Sequence, residues 1–332
     1  MEESVTHAMT PADQTIVSRH REMITGVKRI RLTVTEDPAG RHMAEFCDQL
    51  EALLPAVKVV KEPAEDDPPA IHVTDNIHFQ MAPSGKLLEL FLFSLMGNDV
   101  LVSQDLGADA EETGRRIELP AIFKIYTAHS CPHCPNAVAR GLFLAGAAPS
   151  KVDLRVIDGQ MFAEKAAADG VRSVPATILD DRFRWSGVFS LPEVTDMIVN
   201  RDPAQLGTDT LKKMISDGDA EGVARLMNDF DKVIPGFTAL LTHEKWTVRL
   251  GAMVAFEYLA ETNAALARAV LEQLWPHFDH YEQAVQGDML HLYGVLGQRD
   301  MIARLDAVAD GAYADAIRNV AREVMEALHE DG

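Results

Sequence analysis

Between Lys28 and Val34 apolar and polar residues alternate, the period-two pattern of a half-buried strand. The period then lengthens: Met43, Phe46, Cys47, Leu50, Leu53 and Leu54 fall on one face of a predicted helix over residues 40–54. Val57-Lys58-Val59-Val60 returns to strand character, and the acidic run Glu65-Asp66-Asp67 with Pro68-Pro69 interrupts it. Ala70-Ile71-His72-Val73 predicts another strand, and Pro83-Ser84-Gly85 opens an apolar helix over 86–96. The order is strand, helix, strand, proline, strand, helix.

Residues 121–200 repeat that order. Ile122-Phe123-Lys124-Ile125-Tyr126 predicts a strand, 135–145 a helix, 151–157 an alternating strand and 161–168 a short helix. Val174-Pro175 then leads into the strand Ala176–Leu179, with a hairpin partner at 182–185. Ser190 followed by Glu193 predicts a capping box for a helix over 190–199. A recurrence of about 90 residues is too long for a solenoid unit and suits a duplicated small α/β domain. From Thr208 on, helical periodicity is uninterrupted. The predicted organisation is a short amphipathic lead-in at 1–27, α/β domains at 28–110 and 121–200, and an all-α domain at 208–330.

Composition narrows the function classes. A chain of 332 residues with 47% hydrophobic and 25% charged residues is ordinary globular protein, long enough for two or three domains. The opening Met1-Glu2-Glu3-Ser4 has no apolar signal region, and the most apolar stretch, 87–96, is far short of the roughly 20 residues a membrane helix needs. The expected compartment is the cytoplasm, where a cysteine pair is catalytic more often than structural. The net charge of −20 argues against nucleic-acid and anionic-membrane partners.

The chemistry concentrates at Cys131-Pro132-His133-Cys134, between a strand and a helix. Two cysteines so spaced form the thiol–disulfide signature. Unpaired N–H groups at the helix N-terminus favour a thiolate at the first, while the second sits close enough to resolve a mixed disulfide. A structural zinc needs four scaffolded ligands; the chain has three cysteines, and His129 and His133 would crowd all four ligands into six residues. No metal is therefore expected. Cys47, in a helical pattern, reads as buried and inert. Proline at the mouth of a strand, as at Val174-Pro175, implies either a cis bond or an edge strand.

These motifs carry a resemblance. Phe123-Lys124-Ile125-Tyr126 through Cys131-Pro132-His133-Cys134-Pro135, Val156-Ile157-Asp158-Gly159, and Gly170-Val171-Arg172-Ser173-Val174-Pro175-Ala176 look like the redox half of a tandem thioredoxin-fold unit. Residues 28–200 resemble archaeal protein disulfide oxidoreductases, and more closely the N-terminal domain of the flavoprotein subunit of alkyl hydroperoxide reductase. The resemblance implies Cys131 as nucleophile, Cys134 as resolving thiol, and Val174 and a cis Pro175 as walls of the substrate groove. In the first half Glu36-Asp37-Pro38-Ala39-Gly40 stands where a cysteine pair would fall, so that half is expected to be structural or to dock a partner. The family's Pro-x-Gly-x-Glu step, with its buried proton acceptor, reads Pro83-Ser84-Gly85-Lys86-Leu87 here, and Glu89 is a weak substitute. No GxGxxG follows a predicted strand, so no cofactor beyond the redox-active disulfide is expected, and electrons should come from a separate flavoprotein disulfide reductase. Glutaredoxin-type glutathione use is disfavoured, because Ser186-Gly187-Val188-Phe189-Ser190 replaces the usual Gly-Gly-x-Asp segment.

Residues 241–252, with the Val248-Arg249 step, resemble the turn and inner-helix start of a HEAT-like repeat; 287–296 and 314–328 echo it. Three helical pairs at a period of roughly 40 residues are predicted. Acidic side chains outnumber basic ones nearly two to one over 208–332, which fits either a solvated helical domain or a docking surface for a basic partner. The fold class is thus α/β, two tandem thioredoxin folds followed by an all-α HEAT-like domain. The expected activity is protein-disulfide reduction, carrying electrons to an oxidised protein such as a peroxiredoxin; alternatives are a disulfide oxidase or isomerase, or a redox-sensing adaptor. Pro132 and His133 form the dipeptide of the strongly oxidising periplasmic disulfide donor, and His133 is expected to tune a potential that spans about −270 to about −120 mV across such proteins. His129 is expected to matter less.

Overall fold

The computed structural model describes residues 8–64, 67–103, 106, 108–202, 206–297 and 301–330. The opening Met1-Glu2-Glu3-Ser4 and the acidic Glu65-Asp66 lie outside them. The chain forms two compact units, 1–201 and 202–332.

The first unit starts with α1 (Pro11–His20), held by a full capping box in which Thr10 and Asp13 bond each other's backbone N–H. Its Val17, Asp13 and His20 are buried, so the predicted lead-in contains a packed helix. Then come β1 (Lys28–Val34), α2 (Pro38–Leu53), β2 (Val57–Pro63), β3 (Ala70–Thr74), β4 (Ile77–Gln80) and α3 (Gly85–Met96). Two short helices, α4 (Asn98–Val102) and α5 (Ala110–Arg116), lead to the second half. That half comprises β5 (Ala121–Thr127), α6 (Cys134–Ala147), β6 (Val152–Asp158), α7 (Ala163–Ala168), β7 (Ala176–Leu179), β8 (Phe183–Ser186) and α8 (Leu191–Asn200).

All eight strands join one sheet in the order β2-β1-β3-β4-β6-β5-β7-β8. Within each half a central strand pairs in parallel with the second strand and antiparallel with the third. The halves meet where β4 runs parallel to β6, with Phe79 opposite Val156. The expected strand-helix order omitted β4, whose four residues are too few to show a period; it is nonetheless the strand that fuses the halves. Asn76 pins this seam, its buried side-chain amide donating to the Ala145 and Val152 carbonyls at 3.1 and 2.9 Å.

The same face of the sheet packs α2, α6 and α8 into one core with Ile30, Leu32, Phe123, Ile125 and Leu154. On the opposite face α7 covers a smaller cluster of Tyr126, Ile157, Ala176 and Ile178. Among the described residues no helix stands between β2 and β3 to do the same for the first half. That face carries instead a hydrogen-bonded row, Thr33, His72, His78 and Asp153, running across four strands. Burial and the neighbouring His78 pull the His72 imidazole down to about 4, so it is neutral in this row.

Ser190 precedes α8 without a side-chain cap bond, so the predicted capping box does not form. Glu193 turns away because it accepts the Trp185 indole N–H at 3.0 Å. The end of α8 is held by a buried ion pair, Arg201 to Asp180 at 2.8 Å, while Asp180 also accepts the Ile122 N–H.

The second unit is all helical: α9 (Thr208–Ser216), α10 (Ala220–Phe230), α11 (Pro235–Leu241), α12 (Trp246–Thr262), α13 (Ala264–Leu274), α14 (Gln283–Leu296), α15 (Ile302–Ala309) and α16 (Asp315–Glu330). In one row α10, α12, α14 and α16 pack in succession, and in a second row α9 packs on α11 and α11 on α13. Eight helices in the described residues make four successive pairs where three were expected. The first three pairs begin at Thr208, Pro235 and Ala264, closer than the expected period because α9 and α11 are short, while the fourth begins at Ile302, near that period. Buried Arg249 ties successive pairs together, donating to Asp288 of α14 at 2.7 Å and to the His243 and Glu244 carbonyls in the turn before α12.

Charge burial separates two ion pairs at the same end of the first unit. Asp180→Asn leaves the fully buried Arg201 charge without its partner and should cost about 3–5 kcal/mol. Asp196→Asn, at an exposed pair with Arg116, should cost under about 1 kcal/mol. Urea midpoints at constant slope measure both.

Candidate active site

Every residue of β5 is buried, and the strand delivers the chain into the loop 128–133 before α6 begins at Cys134. The helix lies hard on the sheet: a Cβ on Gly141 would come within 2.5 Å of Ile125 Cδ1 and 2.9 Å of Leu154 Cδ1. A side chain there would push these two core side chains aside, and glycine lets the helix approach without that.

Cys131 and Cys134 form a disulfide with Cα atoms 5.5 Å apart. Cys131 is partly exposed and Cys134 is fully buried, which makes Cys131 the sulfur an incoming partner can reach. The Cys134 backbone N–H donates to Cys131 Sγ at 3.1 Å. In the reduced state that donor, at the positive end of α6, favours a thiolate on Cys131. Pro135 occupies the first turn, where its missing N–H costs nothing.

The Val174–Pro175 peptide is cis. β7 lies between β5 and β8, so of the two alternatives for this proline the edge strand does not apply. The Val174 carbonyl oxygen stands 3.7 Å from Cys131 Sγ, and the Pro175 carbonyl accepts the Gly187 N–H at 2.8 Å. Cys131, Cys134, Val174 and Pro175 are thereby brought together. Pro132 and His133 are exposed on the loop, and His133, the N-cap residue of α6, makes no side-chain cap bond.

His129, expected to matter less, is the histidine the structure engages. Its Nε2 lies 3.2 Å from Asp158 Oδ2 and its Nδ1 2.7 Å from the Ser84 hydroxyl. The Asp158 bond, aided by the charges of Asp158 and Asp13 against the opposing effect of burial, raises the imidazole above its ordinary value. Burial pushes the Asp158 carboxyl up, but the His129 bond and the Met161 and Gln160 N–H groups outweigh it and hold it below the usual range. Asp158 stood in the quoted Val-Ile-Asp-Gly segment. Ser84, contributed by the other half, was legible only as part of a helix start, and nothing in the sequence tied it to His129.

The first half has the same helix-start geometry without the thiols. Asp37 caps α2, accepting the Ala39 and Gly40 N–H groups at 2.8 and 3.0 Å, and a carboxylate thus fills the place of a thiolate. Leu87 is buried, and Glu89 faces Arg19 at 3.7 Å on α1, so Glu89 is engaged at that surface pair. Cys47 is fully buried, and burial pushes its thiol up to about 12. Among the described residues no group of three or more histidines, cysteines or carboxylates converges as metal ligands, and no helix is long and apolar enough to cross a membrane.

Residues 122–199 match the family model of the thioredoxin domain, a match confined to the second half of the first unit. No curated protein matches the chain. Among solved structures, the chain is similar to the NTD_N/C domain of alkylhydroperoxide reductase AhpF of Enterococcus faecalis. The two are 19% identical with a TM-score of 0.47, covering 57% of this chain and 99% of that one. It is also similar to a protein disulfide oxidoreductase of Aeropyrum pernix, at 14% identity and a TM-score of 0.47, over 57% and 92% of the two chains.

The His129–Asp158 pair makes a pH-dependent contribution to stability. A raised imidazole value means its share is full below about 6.5 and lost as pH rises through the folded value; a depressed carboxyl value means its share is lost as pH falls through that value. A double-mutant cycle of His129→Asn and Asp158→Asn should therefore give a coupling that is largest near about pH 5.5. It should be no more than about 1 kcal/mol, since the imidazole is over a third exposed, and smaller at pH 9. A coupling that grows with pH contradicts the pair.

Proposed function

We propose that the chain is a thiol–disulfide oxidoreductase of the protein-disulfide reductase type. The observation that carries this reading is the Cys131–Cys134 disulfide at the start of α6 with Cys131 Sγ facing the Val174 carbonyl beside a cis proline. The thioredoxin-domain match over the same residues supports it.

In this reading the Cys131 thiolate attacks one sulfur of a substrate disulfide, forming a mixed disulfide and releasing a substrate thiolate. The Cys134 thiolate then attacks Cys131 Sγ, restoring the internal disulfide and releasing the second substrate thiol. Two electrons pass to the substrate, and a dithiol donor returns two to the protein. Burial of Cys134 reserves it for the second step. The backbone beside Pro175 offers the incoming chain a strand-like edge. A flavoprotein disulfide reductase as donor and an oxidised protein such as a peroxiredoxin as acceptor fit this chemistry.

The helical unit is proposed to dock the acceptor. Its stacked helix pairs suit a HEAT-like array, its charge is strongly acidic, and Trp246 and Leu250 are exposed on α12. A partner with a basic rim would be steered there, with a salt dependence set by a screening length of about 8 Å.

Turnover tests the enzymatic reading. With a reducing system the protein should reduce insulin disulfides repeatedly; Cys131→Ser should abolish this, and Cys134→Ser should accumulate a mixed disulfide visible by mass. A single cycle without turnover would instead identify a redox sensor. Cys47→Ala should leave the rate within about twofold, since a thiol at about 12 is protonated and inert.

Docking has its own signature. Removing residues 202–332 should spare insulin reduction yet raise KM for the natural acceptor with little change in kcat, because contacts remote from the sulfurs bind substrate and transition state alike. An acceptor indifferent to both truncation and salt rules the docking role out.

A further inference from the structure

Thiolate chemistry at Cys131 needs a compensating charge, and two histidines stand near enough in sequence to provide it. His133 lies between the cysteines, exposed on the loop. His129 is the second residue of a tight turn closed by the Cys131 N–H on the Ala128 carbonyl at 3.1 Å. Such a turn keeps its ends within about 7 Å. Both ring nitrogens of His129 are engaged, Nε2 with Asp158 at 3.2 Å and Nδ1 with Ser84 at 2.7 Å.

Each partner is itself held. The Asp158 side chain is 3% exposed, and its Oδ1 accepts the Gln160 and Met161 N–H groups at 2.8 and 3.1 Å. The next residue, Gly159, bonds its N–H to the Thr127 carbonyl at 2.9 Å. A Cβ there would stand 3.6 Å from Val174 Cγ1, and Val174 is the residue whose carbonyl faces Cys131 Sγ. His129 thus shares its turn with Cys131, and Gly159, next to Asp158, lies against Val174 on the cis-proline side. Ser84 precedes α3 and makes no cap bond of its own; Asp13 of α1 instead accepts the Gly85 N–H at 2.8 Å, leaving the Ser84 hydroxyl to the imidazole.

We propose that His129, clamped between Asp158 and Ser84, is the positioning residue that sets the thiolate stability of Cys131, and so the reduction potential of the Cys131–Cys134 couple, in place of His133. The inference rests on the oxidoreductase reading. It gives the first half, which has no cysteine pair, a role in the chemistry: its Ser84 holds the histidine.

The charge balance states the mechanism. With His129 protonated, the His129–Asp158 pair is neutral and adds no negative charge beside Cys131. Without His129, a buried carboxylate remains uncompensated and opposes a second negative charge nearby. Reduction by glutathione takes two glutathione thiols and the protein disulfide to glutathione disulfide and the protein dithiol; ionisation of Cys131 then releases one proton. Loss of thiolate stability shifts this equilibrium toward the protein disulfide. The charged and polar groups around His129 are Asp158 at the end of β6, Asp13 of α1 and the Ser84 hydroxyl. The Asp158 bond and the two acidic charges together raise the imidazole above its ordinary value, against the effect of burial.

The test uses the full-length protein equilibrated with glutathione buffers at pH 7, with the reduced fraction read by alkylation and mass. His129→Asn should lower the equilibrium constant for reduction by about tenfold, about 30 mV toward the reducing side. His129→Asn combined with Asp158→Asn should recover most of that shift, because the uncompensated carboxylate is gone. Ser84→Ala, which removes one hydroxyl and spares the imidazole, should shift it about threefold in the same direction and also serves if His129→Asn does not fold. His133→Gln should move it less than His129→Asn. The alkylation rate of Cys131 against pH should show a second inflection, above 6.5, that His129→Asn removes. A Ser84→Ala or His129→Asn constant unchanged within twofold, a larger effect at His133, or a double variant no better than the single one overturns the inference. These measurements need no protein substrate. A protein that fails to turn over insulin sinks the oxidoreductase reading, whereas one that turns it over with an unmoved constant sinks only this inference.

Discussion

One parallel contact, β4 against β6, turns two four-stranded layers into a single sheet. The surroundings of His129 depend on it, because Ser84 comes from the first half and reaches the imidazole only when the halves share that seam. A short strand is a weak holder by itself. Asn76 strengthens the seam by giving its amide to two carbonyls of the second half, and the His78–Asp153 contact crosses the same line on the open face. Buried polar groups of this kind cost heavily if mispaired, so a slip of register is strongly disfavoured.

From that seam the geometry of the site follows by packing. Gly141 lets α6 lie directly on β5 and β6, and the position of the helix decides the position of its first N–H groups. Those groups meet a sulfur in the second half and a carboxylate in the first, where Asp37 caps α2. The two halves thus solve the same electrostatic problem, an unpaired helix N-terminus, with two different anions. One of them can do redox chemistry.

The helical unit is built on another principle. Each pair buries an apolar stripe against the next, and Arg249 satisfies the carbonyls of one turn while reaching Asp288 in the following pair. A buried guanidinium with three acceptors is a specific connector, because any shift between pairs would leave it unsatisfied.

Local patterning determined much of this protein. The strands Lys28–Val34 and Ala176–Leu179, the helical face of Cys47, the redox spacing of Cys131 and Cys134 and the exceptional proline at Pro175 are all legible in the chain, because each rests on a period or spacing within a few residues. Tertiary structure decided the rest. β4 is too short to show a period, and its pairing with β3 on one side and β6 on the other makes it a strand. The Ser190 box was lost because Trp185, on a neighbouring strand, claimed Glu193. The partners of His129 were hidden for the same kind of reason. The Pro132-His133 dipeptide drew attention to His133, whereas only folding brings Ser84 and Asp158, 45 residues before and 29 after it, to the two nitrogens of His129. Interactions across such separations leave no periodic trace in the sequence, and so the electrostatics of the site had to be read from the fold.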